Sequence, residues 1–115
     1  MAASVRVSIT HVFAGLAVSD FAAARAWYER LFGRPPDRQP MPEDAVWHLS
    51  GTGLVYVVGD AARAGHALLT LAVADLDGYL TELAGRGLMA ESGEGRARLR
   101  DPDGNMITLF QDPQA

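Results

Sequence analysis

His11-Val12-Phe13-Ala14-Gly15-Leu16-Ala17-Val18-Ser19-Asp20-Phe21 is matched by His66-Ala67-Leu68-Leu69-Thr70-Leu71-Ala72-Val73-Ala74-Asp75-Leu76. His66 stands fifty-five positions after His11, and the same offset separates Leu71 from Leu16, Val73 from Val18 and Asp75 from Asp20. In a chain of 115 residues, that offset points to one supersecondary unit present twice, with a pseudo-symmetric cleft between the copies as the place to look for function.

Each copy reads the same way. Residues 7 to 18 alternate, Val12, Ala14, Leu16 and Val18 on one face and His11, Phe13, Gly15 and Ala17 on the other, which predicts a strand buried largely on both sides. Asp20 is placed to cap a helix striped by Phe21, Ala24, Tyr28, Leu31 and Phe32, closed by Gly33 and barred from continuing by Pro35-Pro36. The proline-bearing segment to Asp44 predicts a short edge strand. Residues 45–50 and 54–59 flank Gly51-Thr52-Gly53 as a hairpin. In the second half, strand 66–74 leads to the cap Asp75, a helix striped by Leu76, Leu80 and Leu83 ending near Gly87, and an edge segment around Leu88 to Glu91. Strands 96–100 and 106–111 follow around Asp101-Pro102-Asp103-Gly104-Asn105. The expected fold class is α+β. One domain spans 1–115, with modules of about 7–60 and 66–112.

A net charge of −4 with interspersed signs does not favour nucleic acid or an anionic membrane, and the apolar runs are too short to span a bilayer. Met1-Ala2-Ala3-Ser4 lacks the plan of a secretion signal, so a cytoplasmic protein is expected. The chain has no cysteine, which removes disulfides, thiolate metal sites and cysteine nucleophiles. All ten cationic side chains are arginine, so Schiff-base lysines and the phosphate-loop lysine are excluded too.

The stretch ending Val18-Ser19-Asp20, the helix with Ala26-Trp27-Tyr28-Glu29-Arg30-Leu31-Phe32-Gly33, the second Val73-Ala74-Asp75 and above all Asp101-Pro102-Asp103-Gly104-Asn105 resemble the vicinal-oxygen-chelate superfamily of glyoxalases, extradiol dioxygenases and bleomycin-resistance proteins. The resemblance covers nearly the whole chain. It implies two pseudo-symmetric βαβββ modules forming a curled mixed-sheet cleft with helices outside, commonly completed in a homodimer. In metal-dependent members four His, Gln or Glu ligands sit on the first and last strands of the modules. Carried over, those positions fall on Phe13, Tyr56, Leu68 and Thr108, none a good divalent ligand. No cofactor is expected; a displaced metal pair at His11 and His66 is the fallback, against the plainer reading of two strand-end histidines.

Alternation in the last hairpin keeps Leu99, Ile107 and Leu109 under the helices and puts Arg96, Arg98 and Arg100 on the Thr108 face, which the resemblance assigns to the cleft. Arg96 and Arg98 there suit an anionic or polar ligand; the alternative is a solvated face, or pairing with Asp101, Asp103 or Glu94. In the first module, Trp47, Leu49, Val55 and Val57 point inward, and Val46, His48, Leu54, Tyr56 and Val58 toward the cleft. His48 is a candidate general base or a merely satisfied histidine. Phe13, Tyr56, Leu68 and Phe110 supply apolar walls, or dimer packing. The expected function is metal-independent binding or sequestration of a small organic compound by a homodimer. The alternatives are a lyase, isomerase or dioxygenase-like enzyme using His48 or a His11/His66 metal, and a purely structural or regulatory dimerisation module.

Overall fold

A computed structural model describes residues 8–114. Val7, the expected start of the first strand, and Met1-Ala2-Ala3-Ser4 lie outside the described residues. The first module runs β1 (Val12–Val18), α1 (Phe21–Phe32), β2 (Arg38–Met41), β3 (Asp44–Ser50) and β4 (Gly53–Gly59). A short 3-10 turn, Ala61–Arg63, leads to the second: β5 (Leu68–Val73), α2 (Leu76–Gly85), β6 (Glu91–Gly93), β7 (Arg96–Arg100) and β8 (Met106–Gln111). Each module folds its strands into a four-stranded sheet, ordered β1-β4-β3-β2 and β5-β8-β7-β6, with the first strand parallel to the last.

The predicted punctuation holds. The Asp20 carboxylate accepts from the Ala23 N–H and the Asp75 carboxylate from the Gly78 N–H, each satisfying one orphan donor for about 1 kcal/mol of helix stability. Gly33 ends α1 at φ 78, where any side chain would be strained, and its N–H bonds the Glu29 carbonyl.

One buried cluster is shared by both sheets and both helices. Leu16, Val18, Trp47, Val55 and Val57 come from the first sheet, and Leu69, Ala97, Leu99, Ile107 and Leu109 from the second. Tyr28, Leu31 and Leu83 enter from the helices, each at 0% exposure. Trp27, absent from the predicted stripe, is buried beside Tyr28 in an edge-on aromatic contact at 4.8 Å. Each such side chain contributes about 1.5–3 kcal/mol relative to leaving it in water.

Two expectations are corrected. β1 is not buried on both sides: among the described residues the shared core covers only one of its faces, so only Leu16 and Val18 are buried, and Phe13 is 52% exposed. The last edge strand begins at Glu91 rather than near Leu88, because Leu88 follows Gly87 (φ 83) straight into the core. No helix among the described residues is long and apolar enough to cross a membrane.

The Asp101–Asn105 turn ties the modules together. Asp101 is buried; its Oδ1 accepts the N–H groups of Asp103 and Asn105, both at 2.9 Å, and its Oδ2 accepts the Tyr28 hydroxyl and the Asn105 amide, both at 2.7 Å. Asn105, fully buried, also donates to the Ala17 carbonyl of β1 at 2.9 Å and accepts the Ala67 N–H ahead of β5 at 2.8 Å. Asp103 accepts both the N–H and the hydroxyl of Ser19. Burial, and then the Asp101 carboxylate, push the Tyr28 phenol far up, in keeping with its role as the donor to Asp101. Tyr28→Phe removes one donor from a buried carboxylate and is expected to cost about 1–3 kcal/mol in denaturant unfolding; an unchanged midpoint would refute this role.

Candidate functional site

Register decides which side chains share a face. Phe13, Gly15 and Ala17 of β1 stand opposite Leu54, Tyr56 and Val58 of β4, and those in turn oppose His48, Val46 and Asp44 of β3. In the second module Leu68, Thr70 and Ala72 of β5 oppose Met106, Thr108 and Phe110 of β8, which face Arg100, Arg98 and Arg96 of β7. These are the faces turned away from the shared core. Phe13 aligns with Leu68 and Leu54 with Met106, so Tyr56 corresponds to Thr108, and Asp44, Val46 and His48 to Arg96, Arg98 and Arg100.

The two faces are not chemically alike. On the first, the Tyr56 ring lies across β1 directly over Gly15, where a methyl group would come within 2.6 Å of its Cζ and hydroxyl. A cavity of about 270 Å³ opens beside it, lined by Gly15, Ala17, Tyr56, Val58, Asp60 and His66 among others. Val46 and Leu54 sit on this face as expected but are already buried, at 4% and 3% exposure, so they form floor rather than wall. Asp44 has its Oδ1 buried without a hydrogen-bond partner. On the second face, Thr108 and Phe110 are half-buried, and Arg96, Arg98 and Arg100 project outward. Ala97, Leu99, Ile107 and Leu109 go to the core, as the alternation requires.

None of the three arginines forms an ion pair among the described residues; Arg100 donates to the Gly104 carbonyl at 3.1 Å. Arg96 and Arg98 line a cavity of about 320 Å³ with Glu91, Ser92, Gly93 and Glu94. Arg98, Arg100 and Glu91 line a neighbouring cavity of about 250 Å³.

His48 is exposed and lines none of these cavities. Its main chain is what the fold uses: its N–H donates to Asp37 Oδ2 at 2.7 Å and its carbonyl accepts from Arg34, which also pairs with Asp37 at 3.1 Å. The His48 N–H, ahead of the Arg34 and His48 charges, holds the Asp37 carboxyl below its ordinary range. His11 precedes β1, is exposed and meets the Thr10 hydroxyl at 3.0 Å; His66 precedes β5. No three His, Cys, Asp or Glu side chains among the described residues could hold a metal together, so that pair lacks further donors. The superfamily's four ligand positions do not fit a metal either: Phe13 is 52% and Leu68 84% exposed hydrocarbon, and Tyr56 and Thr108 offer neutral hydroxyls. Sequence reasoning missed Gly15 as the seat of Tyr56 and Glu91 as a neighbour of the arginines; Glu94, weighed as an ion-pair partner, lines the same cavity without pairing among the described residues.

The profile of the Glyoxalase/Bleomycin resistance protein/Dioxygenase superfamily matches residues 8–109. A glyoxalase/bleomycin resistance protein from Catenulispora acidiphila is 40% identical, with a TM-score of 0.87 over 91% of this chain and 100% of that one. TnmS3, an antibiotic-binding protein from Streptomyces sp. CB03234, is 25% identical, with a TM-score of 0.77 over 92% of this chain and 98% of that one. A bleomycin-binding protein in complex with bleomycin, 20% identical and at a TM-score of 0.72 over 89% of this chain and 98% of that one, shares the fold. No curated protein is similar enough in sequence to count as a relative. With a family profile covering most of its length and the paired-module architecture, the chain belongs to the glyoxalase/bleomycin resistance protein/dioxygenase superfamily.

Proposed function

We propose that the protein binds and sequesters a small organic compound with polar or anionic groups, without a metal, in a cleft formed when two copies bring the first-module face of one against the second-module face of the other. The observation that carries this reading is the row of unpaired arginines beside Thr108 and Phe110, on the face where the superfamily's metal-dependent members place chelating side chains. A guanidinium not held in an ion pair can take an oxyanion through paired N–H donors. The antibiotic-binding activity named for TnmS3 supports the same direction.

Assembly from two copies is supported by geometry. The cavities on the two faces share no lining residue. The chain has a radius of gyration of 15.7 Å, against about 13 Å for a compact domain of this length. Phe13 and Leu68, equivalent in the repeat, hold out hydrocarbon at 52% and 84% exposure, as surfaces that meet a partner do. A cytoplasmic location fits such a binder.

Thermal-shift screening of organic anions and aromatic antibiotics is expected to find compounds that raise Tm; saturation at a hundred times Kd adds about 2.7 kcal/mol to the native state. Arg98→Ala should abolish the rise, and sedimentation should show a dimer. If no compound shifts Tm, or purified protein retains stoichiometric metal, the reading fails. Gly15→Ala separates binding from folding. The added methyl displaces only the far end of the Tyr56 side chain, so unfolding should change by under about 1 kcal/mol, while affinity falls about tenfold with the misplaced hydroxyl. Unchanged affinity would remove Tyr56 from the site.

A further inference from the structure

The β6–β7 arm carries charges of both signs at close quarters. Glu91 stands directly opposite Arg98 and Gly93 opposite Arg96 in the antiparallel pair. Glu91 and Arg98 therefore leave the sheet on one face with Cβ atoms about 5 Å apart. They are nonetheless not ion-paired, since neither Arg96 nor Arg98 has a carboxylate oxygen within 4.0 Å among the described residues. Both Glu91 and Arg98 line the 320 Å³ cavity and the 250 Å³ cavity next to it, so the pair forms the partition between them.

The larger cavity is lined only by Glu91, Ser92, Gly93, Glu94, Arg96 and Arg98, with no apolar side chain. Two guanidiniums and two carboxylates make it electrically neutral with its charges separated. Glu94 contributes at a conformational cost. It turns the hairpin at φ 55, followed by Gly95 at φ 75, a left-handed backbone that glycine adopts freely and a residue with a side chain only at some cost. A simple anion drawn to Arg98 meets the like charges of Glu91 and Glu94 as well, which oppose its binding. A group bearing both signs gains from every member of the lining.

We propose that this cavity is a subsite for a zwitterionic end group, an ammonium and a carboxylate held an atom or two apart as in an amino acid, with the carboxylate on Arg96 and Arg98 and the ammonium on Glu91 and Glu94. The inference rests on the ligand-binding reading above and narrows its ligand class. The test is an NMR titration following the arginine side-chain and main-chain signals of residues 91–98, with glycine as the zwitterion and acetate and methylammonium as its separated charges. Glycine is expected to bind about tenfold more tightly than either, as one added charge-assisted hydrogen bond implies. Glu91→Gln should weaken glycine about tenfold while strengthening acetate, and Arg98→Gln should weaken both; both positions are exposed, so the fold is retained. Acetate binding as well as glycine, Glu91→Gln leaving glycine unweakened, or no response to any of the three overturns the proposal. An aromatic carboxylate that moves Tyr56 and Thr108 while glycine leaves the arm silent overturns the subsite alone. Failure of every compound to move Tyr56 or Thr108 overturns the cleft instead.

Discussion

The buried Asp101 carboxylate and the Asn105 amide beside it set the relation between the two modules. Asn105 bonds the end of β1 through the Ala17 carbonyl and the approach to β5 through the Ala67 N–H, while Asp101 holds the phenol of α1. Asn105 uses both its donors and its acceptor, so it is fully satisfied while fully buried. A hydrocarbon core alone would hold helices against sheets without specifying how the halves meet, because hydrophobic contact is non-directional. Directional bonds at one turn supply that angle, and the angle decides where the two open faces point.

The same turn was the most legible part of the chain. Asp-Pro-Asp-Gly-Asn marks a tight reversal by composition, and the strands on either side begin and end where the alternation changes. Both helix caps were readable because Asp20 and Asp75 each stand just before an apolar stripe. What was not legible lay in exposure and in pairing across strands. The strand containing Phe13 reads as buried from its apolar content, yet burial depends on what packs against each face, and the shared core packs against only one of them. Glu91 and Arg98 are seven positions apart with a turn between them, and only the register makes them neighbours. His48, chosen by residue type, is held by its main chain while its ring faces outward.

In both modules the core positions stay apolar, while the opposite faces differ in chemical character. Core positions in the two modules keep apolar character rather than volume: Leu16 matches Leu71 and Val57 matches Leu109, while Trp47 in one module stands where Leu99 stands in the other. The opposite faces do not match in this way. Gly15 and Tyr56 in one module stand where Thr70 and Thr108 stand in the other, and Asp44, Val46 and His48 where Arg96, Arg98 and Arg100 stand. A pseudo-symmetric scaffold thus presents an aromatic, mostly apolar half and a charged half.

That asymmetry bears on the metal-free binding proposed above. An ion gathers ligand oxygens by a strong local charge; guanidiniums must do so through several weaker, directed bonds. Arginine suits the task better than lysine, because its planar fork is pre-organised and loses less freedom per bond formed. Setting carboxylates beside those forks lowers the attraction for any anion that comes alone. It leaves intact the attraction for a molecule whose charges are arranged to match, so selectivity arises from a penalty on the wrong ligand as much as from affinity for the right one.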